Sequence, residues 1–142
     1  MNKILRDFEQ FMKQREGAAR AYAGGDAEPL SHIATRISPS TYYAPKGGYV
    51  AGADDVLSTY ERDAALFESG GDSEFEIIQL GANDGIAYWT GFQRARVRMR
   101  GSAEPISFNL RVTEVFRNEG DGWKLVHRHA DPLASEPGAN KE

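Results

Sequence analysis

The sequence predicts an α+β fold, and three observations carry that prediction. Residues 3–69 place apolar side chains at helical spacing. From Glu74 onward, apolar and polar residues alternate as they do in half-buried strands. Clusters of Gly, Asn and Asp separate the alternating runs. Three helices followed by an antiparallel meander is an α+β layout. The 142 residues suit one domain, placed at 1–131, followed by a tail from Pro132 to Glu142 that lacks periodicity and is expected to be mobile.

In the first element, Ile4, Leu5, Phe8, Phe11, Met12, Ala19 and Tyr22 line one side of a helix expected over Lys3–Ala23, stopped by Gly24-Gly25. Asp26 then caps a short helix with Glu28 and Pro29 in its first turn, running to Ala34. Ile37–Tyr43 reads as an edge or bulged strand interrupted by Pro39, and Ala44–Gly48 as a loop. The third helix opens at Gly52-Ala-Asp-Asp55 and buries Val56, Leu57, Tyr60, Ala64 and Phe67, ending at Ser69-Gly-Gly71. Strands follow at Phe75–Leu80 and Ile86–Arg100, around an Asn83-Asp84-Gly85 turn, with Gly91 as a candidate bulge.

The last two strands, Phe108–Arg117 and Trp123–Asp131, flank a five-residue loop with two glycines and form a hairpin. Pairing Arg117 with Trp123 sets Val115 against Leu125, Thr113 against His127, Arg111 against His129 and Asn109 against Asp131. That face is apolar near the turn and polar at its far end, the gradient expected of a pocket wall. His129 and Asp131 are the candidate acid–base pair, since histidine titrates near neutrality and a carboxylate fixes its tautomer. Arg111, Thr113, His127 and Asn109 are the candidate ligand contacts beside them, with Tyr43, Tyr60 and Trp89 as aromatic wall. The bland reading of the cluster is a polar network that supports the sheet end.

Composition excludes several classes. No cysteine is present, so disulfides, thiolate metal sites and cysteine nucleophiles are ruled out. His127 and His129 share a strand face but lack a third and fourth ligand nearby, so no metal is expected, and no cofactor. A net charge of −4 argues against nucleic acid as partner. Arg94, Arg96, Arg98 and Arg100 are read as an exposed strand face that meets Glu74 and Glu76 and blunts aggregation. No apolar run has the length of a signal peptide or a membrane span, so no membrane association and a cytoplasmic location are expected.

The other face of the hairpin holds Phe108, Leu110, Val112, Phe116, Val126 and Ala130, with Glu114, Lys124 and Arg128 between them. Read as an outer face, it is too apolar for open water, and a homodimer through Phe108, Leu110, Val112 and Phe116 is expected. In that register Glu114 and Arg128 are diagonal neighbours, able to pair within or across subunits.

Arg111-x-Thr113-x-Val115, a glycine-containing turn, and Trp123-Lys-Leu-Val-His127-x-His129-x-Asp131 resemble the C-terminal hairpin of the SnoaL-like and ketosteroid-isomerase-like proteins of the NTF2-like superfamily. The chain is similar above all to the small members of the calcium/calmodulin kinase association-domain type. Gly25-Asp26 and Gly52-x-x-x-Val56-x-x-x-Tyr60 extend the likeness upstream. The resemblance implies an NTF2-like cone: three N-terminal helices packed in a curved mixed, mostly antiparallel sheet, with a pocket inside. It further implies a small, apolar or aromatic organic ligand and isomerase, cyclase or hydro-lyase chemistry, or alternatively a non-catalytic ligand-binding or dimerisation module. The chain departs from the ketosteroid isomerases at Ser38-Pro-Ser-Thr-Tyr-Tyr43, which carries no acid where their proton-shuttling aspartate lies.

Overall fold

The computed structural model describes residues 2–134. The tail expected to be mobile falls from residue 135 onward outside the described residues; its first residues do not, since Pro132 ends the last strand and the Leu133 N–H donates to the Asn109 carbonyl.

Helix α1 spans Lys3–Ala23, as its periodicity predicts. The Asn2 side chain caps it by accepting from the Ile4 and Leu5 N–H groups. Its inward stripe is Phe8, Met12, Arg15, Ala19 and Ala23, four apolar residues and one arginine. The chain leaves α1 through Gly25, whose φ of +94° suits glycine and where a Cβ would run close to the Phe67 carbonyl. Helix α2 is Glu28–Ile33, with the Asp26 carboxylate accepting from the Glu28 N–H. Helix α3 is Ala53–Ala64, burying Val56 and Tyr60.

Six strands form one sheet in the order β2-β1-β6-β5-β4-β3. They are β1 (Thr41–Tyr43), β2 (Tyr49–Ala51), β3 (Asp72–Ala82), β4 (Ile86–Val97), β5 (Ile106–Asn118) and β6 (Trp123–Pro132). Among these strands β1 against β6 is parallel and the other pairs are antiparallel. Residues 44–48, expected as a loop, are the turn of a β1–β2 hairpin, and only Thr41–Tyr43 of the expected Ile37–Tyr43 strand is extended into the ladder. Gly91 lies opposite a bulge rather than in one. The irregularity is on β3 between Ile77 and Gln79, and a Cβ at Gly91 would run into the Glu76 carbonyl. Of the expected arginine face, Arg94 bonds Glu76 at 3.0 Å, while Arg98 and Arg100 lie beyond the end of β4, where Arg100 pairs with Glu68 instead.

The hairpin register differs from the expected one. Asn118, not Arg117, pairs with Trp123, so the loop is one residue shorter and the strands slide by one. A second irregularity follows, because Val115 pairs with His127 while Phe116 pairs with Leu125, leaving Val126 as an extra residue on β6. Beyond it Thr113 faces His129 and Arg111 faces Asp131. The bulge reverses the parity of β6: Trp123 and Leu125 point inward near the turn, and Arg128 and Ala130 point inward after it. On β5 the inward residues are Leu110, Val112, Glu114 and Phe116.

The helices therefore cover the face that the sequence suggested was outer. Leu110, Val112, Phe116 and Ala130 are buried in the chain's own core, where Phe8 and Phe11 of α1 meet Phe116 with ring centres 5.4 and 5.2 Å apart. The expected dimer patch is thereby used up within one chain; only Phe108, 37% exposed, reaches solvent at its edge. Burial of those rings helps to hold α1 against the sheet.

Candidate functional site

Seven of the nine sequence-predicted site residues lie on the face turned away from the helices. Arg111 and Asp131 form a two-bonded ion pair at 2.7 and 2.9 Å, with His129 Nε2 3.4 Å from the same carboxylate. The Arg111 hydrogen bond holds the Asp131 carboxyl below its ordinary range. His127 Nδ1 is 2.7 Å from Thr41 Oγ1, and Tyr43 packs its ring against both His127 and His129. Burial, then the neighbouring His129, lowers the His127 pKa. Thr113 and Asn109 are exposed on the same side. The cluster is real, but it is open, and Arg111 is already engaged by Asp131. It lines two open surface recesses of about 410 and 320 Å³ rather than the inside of the cone, because the hairpin register puts Arg111, Thr113 and Asn109 outside and the Val126 bulge does the same for His127, His129 and Asp131.

Tyr60 and Trp89 do lie inside, and the interior is organised around a residue that sequence reasoning gave to an interface. Tyr42, Arg128, Glu114 and Trp89 form one row of neighbours across β1, β6, β5 and β4. Glu114 is fully buried. Its Oε1 accepts from Arg15 Nε at 2.9 Å and Trp89 Nε1 at 2.8 Å, and its Oε2 from Arg15 Nη2 at 2.7 Å and Arg128 Nη1 at 2.6 Å. Arg128 Nη2 donates to Gln93 Oε1 at 2.6 Å, and Gln93 Nε2 donates to Ser73 Oγ at 3.0 Å. Phe75 lies under the Arg15 guanidinium, 5.4 Å from ring centre to cation, and stacks on Trp89.

Beside this cluster lies a cavity of about 50 Å³, lined by Arg15, Ala19, Tyr22, Leu30, Tyr42, Tyr60, Gln93 and Arg128. Two buried polar atoms there lack a partner among the described residues: Arg15 Nη1 and the Tyr60 hydroxyl. Such orphans are uncommon in folded interiors.

The electrostatics fix Glu114, Arg128 and the three tyrosines beside them. Burial alone would raise the Glu114 pKa, but the charges and hydrogen bonds of Arg15 and Arg128 overcome it and hold the carboxyl at about 2. Burial pushes the Tyr22, Tyr42 and Tyr60 phenols up. Arg128 stays cationic: burial disfavours the charge, and Glu114 more than restores it. Among the described residues no group of three or more His, Cys, Asp or Glu is placed to hold a metal ion.

Arg15, Gln93, Glu114 and Arg128 were not among the predicted site residues. A signal existed for three of them. Arg15 is the lone charge on the apolar stripe of α1, and Glu114 and Arg128 are opposite charges within the apolar face of the hairpin. Such charges, when buried, must pair. Nothing in the local pattern marks Gln93.

N-terminal helices packed on a curved, mixed six-stranded sheet are the architecture of the NTF2-like proteins, and comparison with solved structures agrees. A candidate dehydratase of the NTF2-like family from Streptomyces avermitilis superposes with a TM-score of 0.75 at 22% identity, covering 92% of this chain and 98% of that one. An NTF2-like superfamily protein from Salmonella enterica serovar Typhimurium gives 0.73 at 12% identity, covering 94% and 96%. A protein from Xanthomonas campestris named for the calcium/calmodulin-dependent protein kinase II association domain gives 0.70 at 9% identity, covering 95% and 91%. At these identities the likeness is one of fold. Among curated proteins no sequence match is found. The SnoaL-like domain model matches residues 15–135, and the chain belongs to that family. Among the described residues no helix is long and apolar enough to cross a membrane.

Proposed function

We propose that the chain is a non-catalytic binding domain for a small polar molecule held inside the cone, against Arg15, Tyr60 and the Glu114 cluster. The observation that carries this reading is the cavity of about 50 Å³ beside two buried, unpartnered polar atoms. Isomerase, cyclase or hydro-lyase chemistry needs a group that exchanges a proton near neutral pH. The cavity's residues offer none: Glu114 is held ionised, the three phenols are held protonated, and the guanidinium of Arg128 keeps its proton. The size argues the same way. A cavity of about 50 Å³ is smaller than the roughly 150 Å³ that takes a benzene ring, so steroid-like or aromatic ligands do not fit.

The test is a panel of small polar compounds titrated into the protein while the Trp89 indole N–H resonance and ligand integrity are both followed. Binding with the compound recovered unchanged supports the reading. Conversion of a bound compound, or no binder among molecules of this size, overturns it.

A further inference from the structure

We infer that the recess at the β1–β2 turn takes the quaternary ammonium head of an organic cation, held in a corner of Tyr43, Tyr49 and His129 and faced by the Asp131 carboxylate. The site lies on the outer side of the sheet and does not rest on the cone-binding reading above.

Ring geometry is the first argument. The recess holds about 410 Å³, within the range of small-molecule sites. Three aromatic rings stand in its wall. Tyr43 and Tyr49 meet at 88° with centres 6.4 Å apart, and Tyr43 and His129 at 69° with centres 5.5 Å apart. A flat ligand stacks on one ring of such a corner and leaves the others idle. A rounded head with carbon groups on every side touches all three. The two tyrosines are register partners across the β1–β2 hairpin. They are 43% and 73% exposed, and neither packs against the hydrophobic core.

Charge is the second argument. Asp131 lines the recess, and among the described residues no arginine or lysine does. Its ion-pair partner Arg111 lines the neighbouring recess instead. The pair therefore shows its negative member to this side. The Arg111 hydrogen bond holds the Asp131 carboxyl below its ordinary range, so the carboxylate is ionised at neutral pH. Aromatic rings attract cations to their faces, quaternary ammonium groups among them. A net charge of −4 favours a cation over an anion at long range.

Hydrogen bonding is the third argument. Arg111 Nε and Nη2 take two of the roughly four acceptor positions of the Asp131 carboxylate. A primary ammonium would bring three donors to a carboxylate already half engaged. Among the described residues no group of three or more His, Cys, Asp or Glu can hold a metal ion. A quaternary ammonium carries no N–H and needs only the field and the contact.

The experiment titrates choline, ethanolamine and dimethylbutanol, the uncharged carbon isostere of choline, at about pH 8, above the ordinary histidine range. The Tyr43, Tyr49 and His129 ring resonances report the recess, and the Trp89 indole resonance reports the cone. Tyr49→Ala, Tyr49→Phe and Asp131→Asn are compared after thermal melting shows them folded. The expected result is that choline moves the three rings, leaves Trp89 unmoved, and binds at least about tenfold tighter than either other compound. Tyr49→Ala abolishes this binding, Tyr49→Phe restores it, and Asp131→Asn weakens it severalfold. Sedimentation with phosphatidylcholine vesicles separates two sources of the same head. Retention lost in Tyr49→Ala assigns it to a lipid, and choline binding without retention to a free solute; either upholds the assignment. Dimethylbutanol binding as tightly as choline would overturn the cation, and ethanolamine doing so would overturn the quaternary head. Ring resonances that choline leaves unmoved, in the absence of vesicle retention, would remove the site while leaving cone binding intact.

Discussion

Arg15 on α1 grips the Glu114 carboxylate on β5 through two hydrogen bonds of 2.9 and 2.7 Å, across 99 positions of sequence and out of reach of solvent. The contact joins helix to sheet with charge in a core otherwise held by aromatic packing. Buried ion pairs of this kind are stabilising only while every partner is present.

Removing the shared acid is therefore the costliest change. Glu114→Gln leaves two buried guanidinium groups without a counter-charge and should destabilise the fold by about 3–5 kcal/mol. Arg15→Met leaves an Arg128–Glu114 pair and should cost less by more than about 1 kcal/mol. Urea unfolding of both variants checks the order; equal costs would show that the charges are not shared as the geometry indicates.

Acid should weaken the protein through the same carboxylate. The folded Glu114 pKa of about 2 lies below its ordinary value of 4.5, so the stabilisation is fully present above 4.5. It is lost as pH falls from there toward 2, and amounts to something on the order of 3 kcal/mol. Unfolding free energy measured from pH 6 to pH 2.5 should fall steeply in the parent and less steeply in Glu114→Gln. A parallel decline in both would place the acid sensitivity elsewhere.

Arg111→Ala and His129→Ala should leave binding in the cone unchanged, because both side chains lie on the outer face. Calorimetric titration of each variant with any ligand of the cone tests this. Loss of affinity in either would mean that the outer cluster communicates with the interior.

Val112 is 2% exposed within the core of a single chain. Val112→Arg should unfold the domain, costing more than about 3 kcal/mol for an unpaired buried charge, rather than split a dimer into folded halves. Circular dichroism together with light scattering separates the two, and a folded monomeric variant would refute the assignment.

Gly91→Ala should cost about 1–3 kcal/mol, since its Cβ would meet the backbone of the bulged β3 and force that strand to shift. Thermal melting reads the effect, and an unchanged midpoint would show that the bulge is free to move.

Much of the fold was legible in the chain. The α1 boundaries, the hairpin, the Asn83–Gly85 turn and the α+β order all follow from short-range pattern, which local physics writes directly into sequence. The β1–β2 hairpin was not legible, because two three-residue strands around Ala44–Gly48 give too little alternation to read. Where the site residues lie was harder to read, for a sharper reason. The Arg111, His129 and Asp131 group was rightly placed on one face, yet which face is buried depends on a loop length and on Val126, and neither leaves a mark in the alternation itself. Glu114 and Arg128 were seen as a pair and assigned to the wrong side of the sheet for the same cause. Tyr60 and Trp89, whose aromatic bulk favours burial in any register, do lie inside.

The extra residue at Val126 behaves like a frameshift in a two-sided script. Each strand carries two messages on alternate letters, one addressed to the interior and one to the surroundings, and the bulge decides which message the last part of β6 delivers to which reader. Drawing Val126 into regular alternation, with no residue lost, would exchange Arg128 and Ala130 for His127, His129 and Asp131 at the inner wall, whereas deleting it would straighten the ladder and leave Arg128 and Ala130 inside. In this fold, keeping or losing the bulge at that point, at constant chain length, is thus a short route between an interior that holds fixed charge and one lined by histidine and aspartate.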